Sequence, residues 1–256
     1  MAESTSRKNS PNHKFPQSHR TVFQKPVSNT LLAQIPESEF LALQPHLEFL
    51  ELRDGERLER AGEPVRAAYF LNSGLTSMIV EIFDGRSVEV GVAGRETMIG
   101  LPLAGGLQDF NYSLFVQVPG DAFFVQTQTL TRLLPSLPEL HRLLLRRLAI
   151  RSIELAQNAA CNRLHNVRQR LARWLLITHD RLESNVIATT HGILSGMLGT
   201  DRPTVTVTLR EFESDGAVRI GRAAISIENR RKLEKHSCEC YGVFWRFNPE
   251  LGLNKY

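Results

Sequence analysis

At Pro138 the hydrophobic rhythm of this 256-residue chain changes, and one kind of structural layer cannot satisfy both halves. Upstream, short apolar runs are punctuated by glycine. Leu50–Leu52 precede Asp54-Gly55, Tyr69–Leu71 precede Ser73-Gly74, Thr76–Phe83 precede Asp84-Gly85, and Ser87–Val92 precede Gly94. Phe115–Val118 and Ala122–Val125 flank Pro119-Gly120. Asp-Gly between alternating runs is a hairpin signal, because glycine accepts positive φ without steric cost. Strands at this spacing predict an all-β barrel or sandwich. Downstream, residues 139–160 contain no Gly or Pro and repeat apolar residues at 140, 143, 144, 148, 155, 156 and 159. That spacing predicts one long helix, about 33 Å at 1.5 Å per residue, with Arg142, Arg146 and Arg151 largely off the apolar stripe. A small β domain cannot cover so long a stripe, so a partner helix is expected, with Leu140, Leu144, Leu148 and Leu155 in a dimer seam. The competing arrangement is a core helix packed on its own chain.

Composition narrows the class. Hydrophobic residues at 42% and charged residues at 23% fit a globular chain and exclude a fibrous or wholly disordered one. No run approaches 18 apolar residues, so no membrane-spanning helix is expected, and the opening MAESTSRKNSPNHK lacks the apolar core of a secretory signal. Three cysteines are too few for a disulfide framework, which favours a cytoplasmic protein. The net charge of +4 is uneven. Residues 1–28 carry five basic and one acidic side chain, residues 29–137 seven and fourteen, and residues 138–256 nineteen and twelve. The last block would attract a polyanion and the middle one repel it. Residues 1–28, rich in Ser, Asn, Pro, Gln, His and Lys, read as a disordered basic tail.

After a helix predicted over Asn162–His179, residues 190–216 read THGILSGMLGTDRPTVTVTLREFESDG. Leu194, Met197 and Leu198 give a short amphipathic helix, and Gly199 supplies the left-handed residue that ends it. Asp201 is a good N-cap for a second helix, and Pro203 suits its first turn. Val205, Leu209 and Phe212 form the inward face, although Val205, Thr206, Val207 and Thr208 are poor helix formers that packing must hold. Two short helices joined by a glycine turn make a helix-turn-helix, and AVRIGRAAISI (217–227) reads as a hairpin wing. The exposed N-terminal half of a groove-reading helix should carry base-reading and phosphate-binding side chains. Arg202, Thr204, Thr206 and Arg210 occupy those positions, with Arg219 and Arg222 of the wing directed at the DNA backbone.

In this order, β domain, long helix and winged helix-turn-helix resemble the Crp/Fnr family of bacterial transcription regulators, over about residues 29–245. The sensor-domain pattern stands as Gly55-Glu56, Gly62-Glu63-Pro64, Tyr69-Phe70 and Ser73-Gly74, while ACNRLHNVRQRLARWLL (160–176) and Cys238-Glu-Cys240-Tyr241 resemble one group within the family. The resemblance implies an α+β fold: an N-terminal double-stranded β-helix of jelly-roll, cyclic-nucleotide-binding-like type, a long dimerisation helix, and a C-terminal winged helix-turn-helix. The corresponding boundaries are 29–136, 137–160 and 161–246, with tails at 1–28 and 247–256. Relatives that bind cyclic nucleotides use a Gly-Glu pair for the ribose and an Arg-Ser or Arg-Thr pair for the phosphate. Here Gly100-Leu101 and Tyr112-Ser113 stand instead, and no Arg lies between Arg95 and Arg132. Leu101 cannot accept a ribose hydroxyl and Tyr112 cannot neutralise a phosphate, so cyclic AMP is not expected to bind in the family's usual mode. An apolar effector pocket is expected at Met98, Leu101, Leu103, Tyr112 and Leu114.

Iron–sulfur sensing normally needs four thiolates, and only Cys161, Cys238 and Cys240 exist. His236, Cys238 and Cys240, joined by Cys161 or His165, have the right chemistry for a metal, but Cys-x-Cys is a weak signal; no metal and no cofactor are assigned. His46, His141, His179 and His191 are scattered without a nucleophile partner, so no enzyme is expected. Arg95-Glu96 beside Gly94 fits no Walker spacing. The expectation is a cytoplasmic, homodimeric, sequence-specific regulator of double-stranded DNA transcription, with RNA polymerase and an unknown small-molecule effector as further partners. Its rival is a protein-interaction module whose sensor domain is degenerate and whose winged helix docks a protein.

Overall fold

The computed structural model describes residues 21–22, 24–182 and 184–251. Strands β1 (Thr21–Val22) and β2 (Lys25–Pro26) form a hairpin, followed by helices α1 (Thr30–Gln34) and α2 (Glu37–Leu43). Eight antiparallel strands then make two four-stranded sheets. One is ordered β3 (Glu48–Leu52), β10 (Gly120–Gln126), β5 (Ala67–Leu71), β8 (Met98–Ile99). The other is ordered β4 (Arg57–Glu59), β9 (Ser113–Val118), β6 (Leu75–Glu81), β7 (Ser87–Ala93). Leu52, Leu71, Met78, Ile99, Leu114, Val116 and Ala122 interdigitate between the sheets. Closure depends on Gly120, where a Cβ would stand 2.5 Å from the Ser73 carbonyl, so the Pro119-Gly120 turn lies flush on the Ser73-Gly74 turn.

Helix α3 (Thr127–Leu133) leads into the long α4 (Pro138–Leu164, 27 residues), whose first turn is capped from outside. The Glu39 carboxylate accepts the N–H groups of Glu139 and Leu140 at 2.8 and 2.9 Å, neutralising donors that a helix start leaves unpaired. Beyond a break at His165, α5 (Val167–Arg181) begins with a capping box between Asn166 and Gln169. Then come β11 (Val186–Ala188), α6 (His191–Leu198), α7 (Arg202–Ser214), the β12–β13 hairpin (Val218–Gly221, Ala224–Ile227), α8 (Arg230–His236) and α9 (Cys240–Phe247). Leu171, Leu175, Leu194, Val205, Leu209, Phe212, Ile225 and Leu233 form the core of this last unit. Among the described residues no helix is long and apolar enough to cross a membrane.

Several expectations change. Of the basic tail, residues 1–20 and 23 lie outside the described residues, but Val22 and Val27 are buried against α1, so the ordered chain begins before residue 29. At the other end Asn248 and Leu251 are fully buried, so they belong to the core rather than to a tail, and residues 252–256 lie outside the described residues. The largest correction concerns α4. Leu140 and Leu144 are fully buried inside the same protomer, packed with Leu31, Leu32, Phe123 and Leu130, because α1, α3 and the outer face of one sheet cover the first half of the helix. They are core residues, not a dimer seam.

The second half of α4 is charged inside. Arg151, expected off the apolar stripe, is buried, as is Arg147. Glu96, 1% exposed in the loop after β7, lies 2.8 Å from Arg181 Nε of α5 and 3.6 Å from Arg147. Glu154 pairs with Arg147 at 3.1 Å and Arg151 at 3.0 Å, and Arg147 also donates to Asn248. Burial alone would raise the Glu96 pKa, but Arg181, Arg147 and Arg151 overcome it and hold the carboxyl at about 2. This ion network joins the β domain, α4 and the C-terminal unit.

Candidate nucleic-acid interface

Local chemistry builds the two short helices. Thr190 Oγ1 accepts the Ile193 N–H and starts α6. Gly199, at φ 58°, ends it: its N–H returns to Gly196 and that of Thr200 to Ser195, the paired bonds of a Schellman cap. Asp201 Oδ1 accepts the Thr204 N–H at 2.8 Å and starts α7 with Pro203 in the first turn. Val205, Leu209 and Phe212 are fully buried, so tertiary contacts hold a helix of weak formers. Arg170 Nη1 donates to the Leu198 carbonyl and fastens α6 to α5.

The opposite face of α7 is open. Arg202 and Arg210 are exposed, and between them Val207 is 57% exposed. The two threonines differ. Thr204 Oγ1 donates to Asp201 Oδ2, whereas Thr206 Oγ1 donates to the Arg202 carbonyl and lies 2.9 Å from His191 Nδ1. Thr206 is thereby drawn into the α6–α7 contact and is only half-exposed. Burial, and then Arg202 and Arg210, lower the His191 pKa. In the wing, Arg222 and Ala223 form the turn, Ala223 at φ 54°, and Arg222 is exposed. Arg219 is instead engaged with Glu228 at 2.9 Å. Ile220 N donates to Glu213 Oε1, which fixes the wing against α7.

A cavity of about 170 Å³ lies between the two sheets and α4. Met98, Leu101, Tyr112 and Leu114 of the expected pocket line it, as do Leu148 and Leu155 of the expected seam, which therefore face their own β domain. Leu103 does not; it packs into the core beneath α4. The cation at this cavity is Arg151, whose Nη1 donates to the Val92 carbonyl. Tyr112 stacks on Phe110 at 4.2 Å, and burial pushes its hydroxyl up to about 12.

A model of the Crp-like helix-turn-helix domain matches residues 169–236. These residues are a Crp-like helix-turn-helix domain. The comparison with curated proteins returned no match. Among solved structures the chain resembles FixK2 from Bradyrhizobium japonicum (TM-score 0.65, 17% identity, 75% of this chain and 98% of that one). It also resembles a putative regulator of the Crp/Fnr family from Eubacterium rectale (0.62, 16%, 80% and 96%) and the c-di-GMP-responsive global regulator CLP from Xanthomonas campestris (0.59, 20%, 74% and 96%). Over about three quarters of its length the chain has the fold of these regulators.

The Crp-like domain meets the sheet that contains β7 directly. Trp174 Nε1 donates to Glu89 Oε1 of β7 at 2.8 Å, and Ser77 Oγ donates to the other oxygen at 2.7 Å. Burial outweighs both donors and raises the Glu89 carboxyl to about 7. Two features carry no signal in the sequence: the exposed Val207, hidden in a run of alternating Thr and Val, and the ionic role of Glu96 beside Gly94. The C-terminal part of the chain also gathers the cysteines. Cys161 at the end of α4 lies beside Cys238 and Cys240 at the α8–α9 corner, with His165 among them. His236 is elsewhere, stacked on Phe212 at 4.9 Å and 3.1 Å from Asp215.

Proposed function

We propose that the protein is a sequence-specific transcription regulator that binds double-stranded DNA as a homodimer, with the cytoplasm as its compartment. The observation that supports this reading best is the open face of α7, where Arg202, Val207 and Arg210 stand exposed on a helix fixed at both ends by caps and core. In a major groove, Arg202 would bond a guanine edge and Val207 would meet a thymine methyl. Arg222 at the wing tip would take a phosphate, fixing register without reading sequence. Because Thr206 is held by Arg202 and His191, base contact falls mainly to Arg202, Thr204, Val207 and Arg210.

A second copy is proposed along the outer face of α4. Leu145 is 44% and Ile153 37% exposed, and with Ala149, Ala156, Ala160 and Leu164 they form one stripe at helical spacing. Two copies joined there would present recognition helices about 34 Å apart, one turn of B-DNA. The sensor cavity supports a compact, largely apolar effector with one acceptor group toward Arg151. Its size is near that of an engineered cavity of roughly 150 Å³ that holds benzene. With Leu101 and Tyr112 in its wall where a ribose and a phosphate ligand would be needed, cyclic AMP is not the proposed effector.

The test is selection of bound fragments from random genomic DNA by the full-length protein, followed by affinity measurement across a salt series. A selected operator should lose affinity linearly in log salt as counterions are released. Arg202→Ala should weaken that operator by about 1–3 kcal/mol, roughly 5- to 150-fold. No enriched fragment, or salt-insensitive binding, would overturn the reading in favour of a protein-docking module.

A further inference from the structure

All three cysteines of the chain are buried and converge on one point, although 77 residues separate Cys161 from Cys238. His165 completes the group: the four ligand atoms lie within 4.8 Å of one another. Cys161 Sγ is 3.6 Å from Cys238 Sγ, and Cys240 Sγ is 3.6 Å from His165 Nδ1. Tetrahedral zinc, with Zn–S near 2.3 Å and Zn–N near 2.05 Å, requires edges of roughly 3.8 Å between sulfurs and roughly 3.6 Å from sulfur to nitrogen. These two edges meet that geometry within a few tenths of an ångström, and all six lie within 4.8 Å, close enough for one ion to draw the four atoms together. A disulfide needs sulfurs about 2.05 Å apart, and all three cysteines are free.

The surroundings point the same way. His165 turns Nδ1 toward the thiols and Nε2 toward Glu239 Oε1 at 3.3 Å, the carboxylate–histidine arrangement that orients a metal-binding imidazole. Gln157 Nε2 lies 3.0 Å from Cys240 Sγ and donates to it, as an N–H does to a thiolate carrying negative charge.

We propose that Cys161, His165, Cys238 and Cys240 bind one zinc(II) ion, which clamps the end of α4 to the α8–α9 corner of the Crp-like domain. On binding, each thiol passes its proton to solvent as its sulfur–zinc bond forms, and the neutral imidazole donates its Nδ1 lone pair. No electrons are transferred, and the Cys₃His complex carries a net charge of −1. The clamp spans the break at His165 where α4 gives way to α5, so the ion sets the angle at which the DNA-reading unit leaves the long helix. The closed tetrahedron leaves no open position, which makes the site structural rather than hydrolytic.

Full-length protein purified without chelator should contain one zinc per chain by elemental analysis. Replacing zinc with cobalt(II) should give the intense visible bands of tetrahedral thiolate coordination. All three thiols should resist a thiol reagent while metal is bound and react after chelation. Cys238→Ser should remove the metal, and Glu239→Gln should keep it with roughly 10- to 100-fold weaker affinity. The wild-type stoichiometry and cobalt spectrum decide the matter even if Cys238→Ser fails to fold. Substoichiometric zinc after reconstitution, absent cobalt bands, or a mass lower by two hydrogens from a Cys161–Cys238 disulfide would each overturn the proposal. DNA affinity is not among these readouts, so they stand apart from the test of DNA binding.

Discussion

Replacing Glu96 with Gln removes one buried anion and leaves Arg181 and Arg147 facing an amide of the same shape. The Glu96 carboxyl is held at about 2, some 2.5 units below an ordinary glutamate, and each unit is worth about 1.4 kcal/mol. On that reckoning the ionised carboxylate contributes about 3 kcal/mol at neutral pH, at the lower edge of the 3–5 kcal/mol typical of breaking a buried pair by deleting one partner. The sign follows from the depressed folded pKa. The contribution is complete above the unfolded value near 4.5 and is lost as pH falls toward 2, because the unfolded chain takes up the proton first. Urea unfolding of wild type and Glu96→Gln at pH 7, followed by tryptophan fluorescence, should show a loss of about 3 kcal/mol in the variant. Between pH 5 and pH 3 the gap should narrow, since only wild type has this carboxylate to lose. An equal midpoint at pH 7, or a gap that widens on acidification, would refute the assignment of Glu96 as the anion that binds the cationic ends of α4 and α5 together.

The raised carboxyl of Glu89 gives the opposite slope. Its folded pKa near 7 exceeds the unfolded value, so stability should fall as pH rises from about 4.5 to about 7, and Glu89→Gln should flatten that part of the profile. Glu59 titrates in the same window, so the difference between variant and wild type is the quantity to read. Ala223 holds φ 54° in the wing turn, and Ala223→Gly should raise stability by about 0.5–1 kcal/mol in thermal unfolding by relieving the left-handed conformation. The two faces of α4 should separate cleanly. Leu144→Ala should cost about 2–5 kcal/mol of stability, whereas Ile153→Asp should convert a dimer to a monomer in light scattering with little change in unfolding.

What could be read from the chain before its structure follows physical range. Periodicity and caps act within a few residues, so Asp201, Gly199 and the Val205–Leu209–Phe212 face of α7 were legible as they stand. The same pattern recognised an apolar stripe on α4 but could not say what covers it, because Leu140 and a partner-facing leucine look identical along the chain. The deciding fact is the return of α1 and of Phe123 on β10 to that face, contacts between residues far apart in sequence. Charge misled for a related reason. Arg151 reads as solvent-exposed by its type and spacing, yet Glu154 one turn later and the Val92 carbonyl 59 residues away together make its burial tolerable. The cysteines are the extreme case. Cys-x-Cys says little alone, and Cys161 with His165 says little alone, since i and i+4 on a helix end is a common spacing. Only the fold of the C-terminal unit, which returns α9 to the end of α4, turns two weak local patterns into one tetrahedron. The residues least legible in sequence therefore lie where the β domain, the long helix and the Crp-like domain meet, because each contact there joins segments that are far apart along the chain.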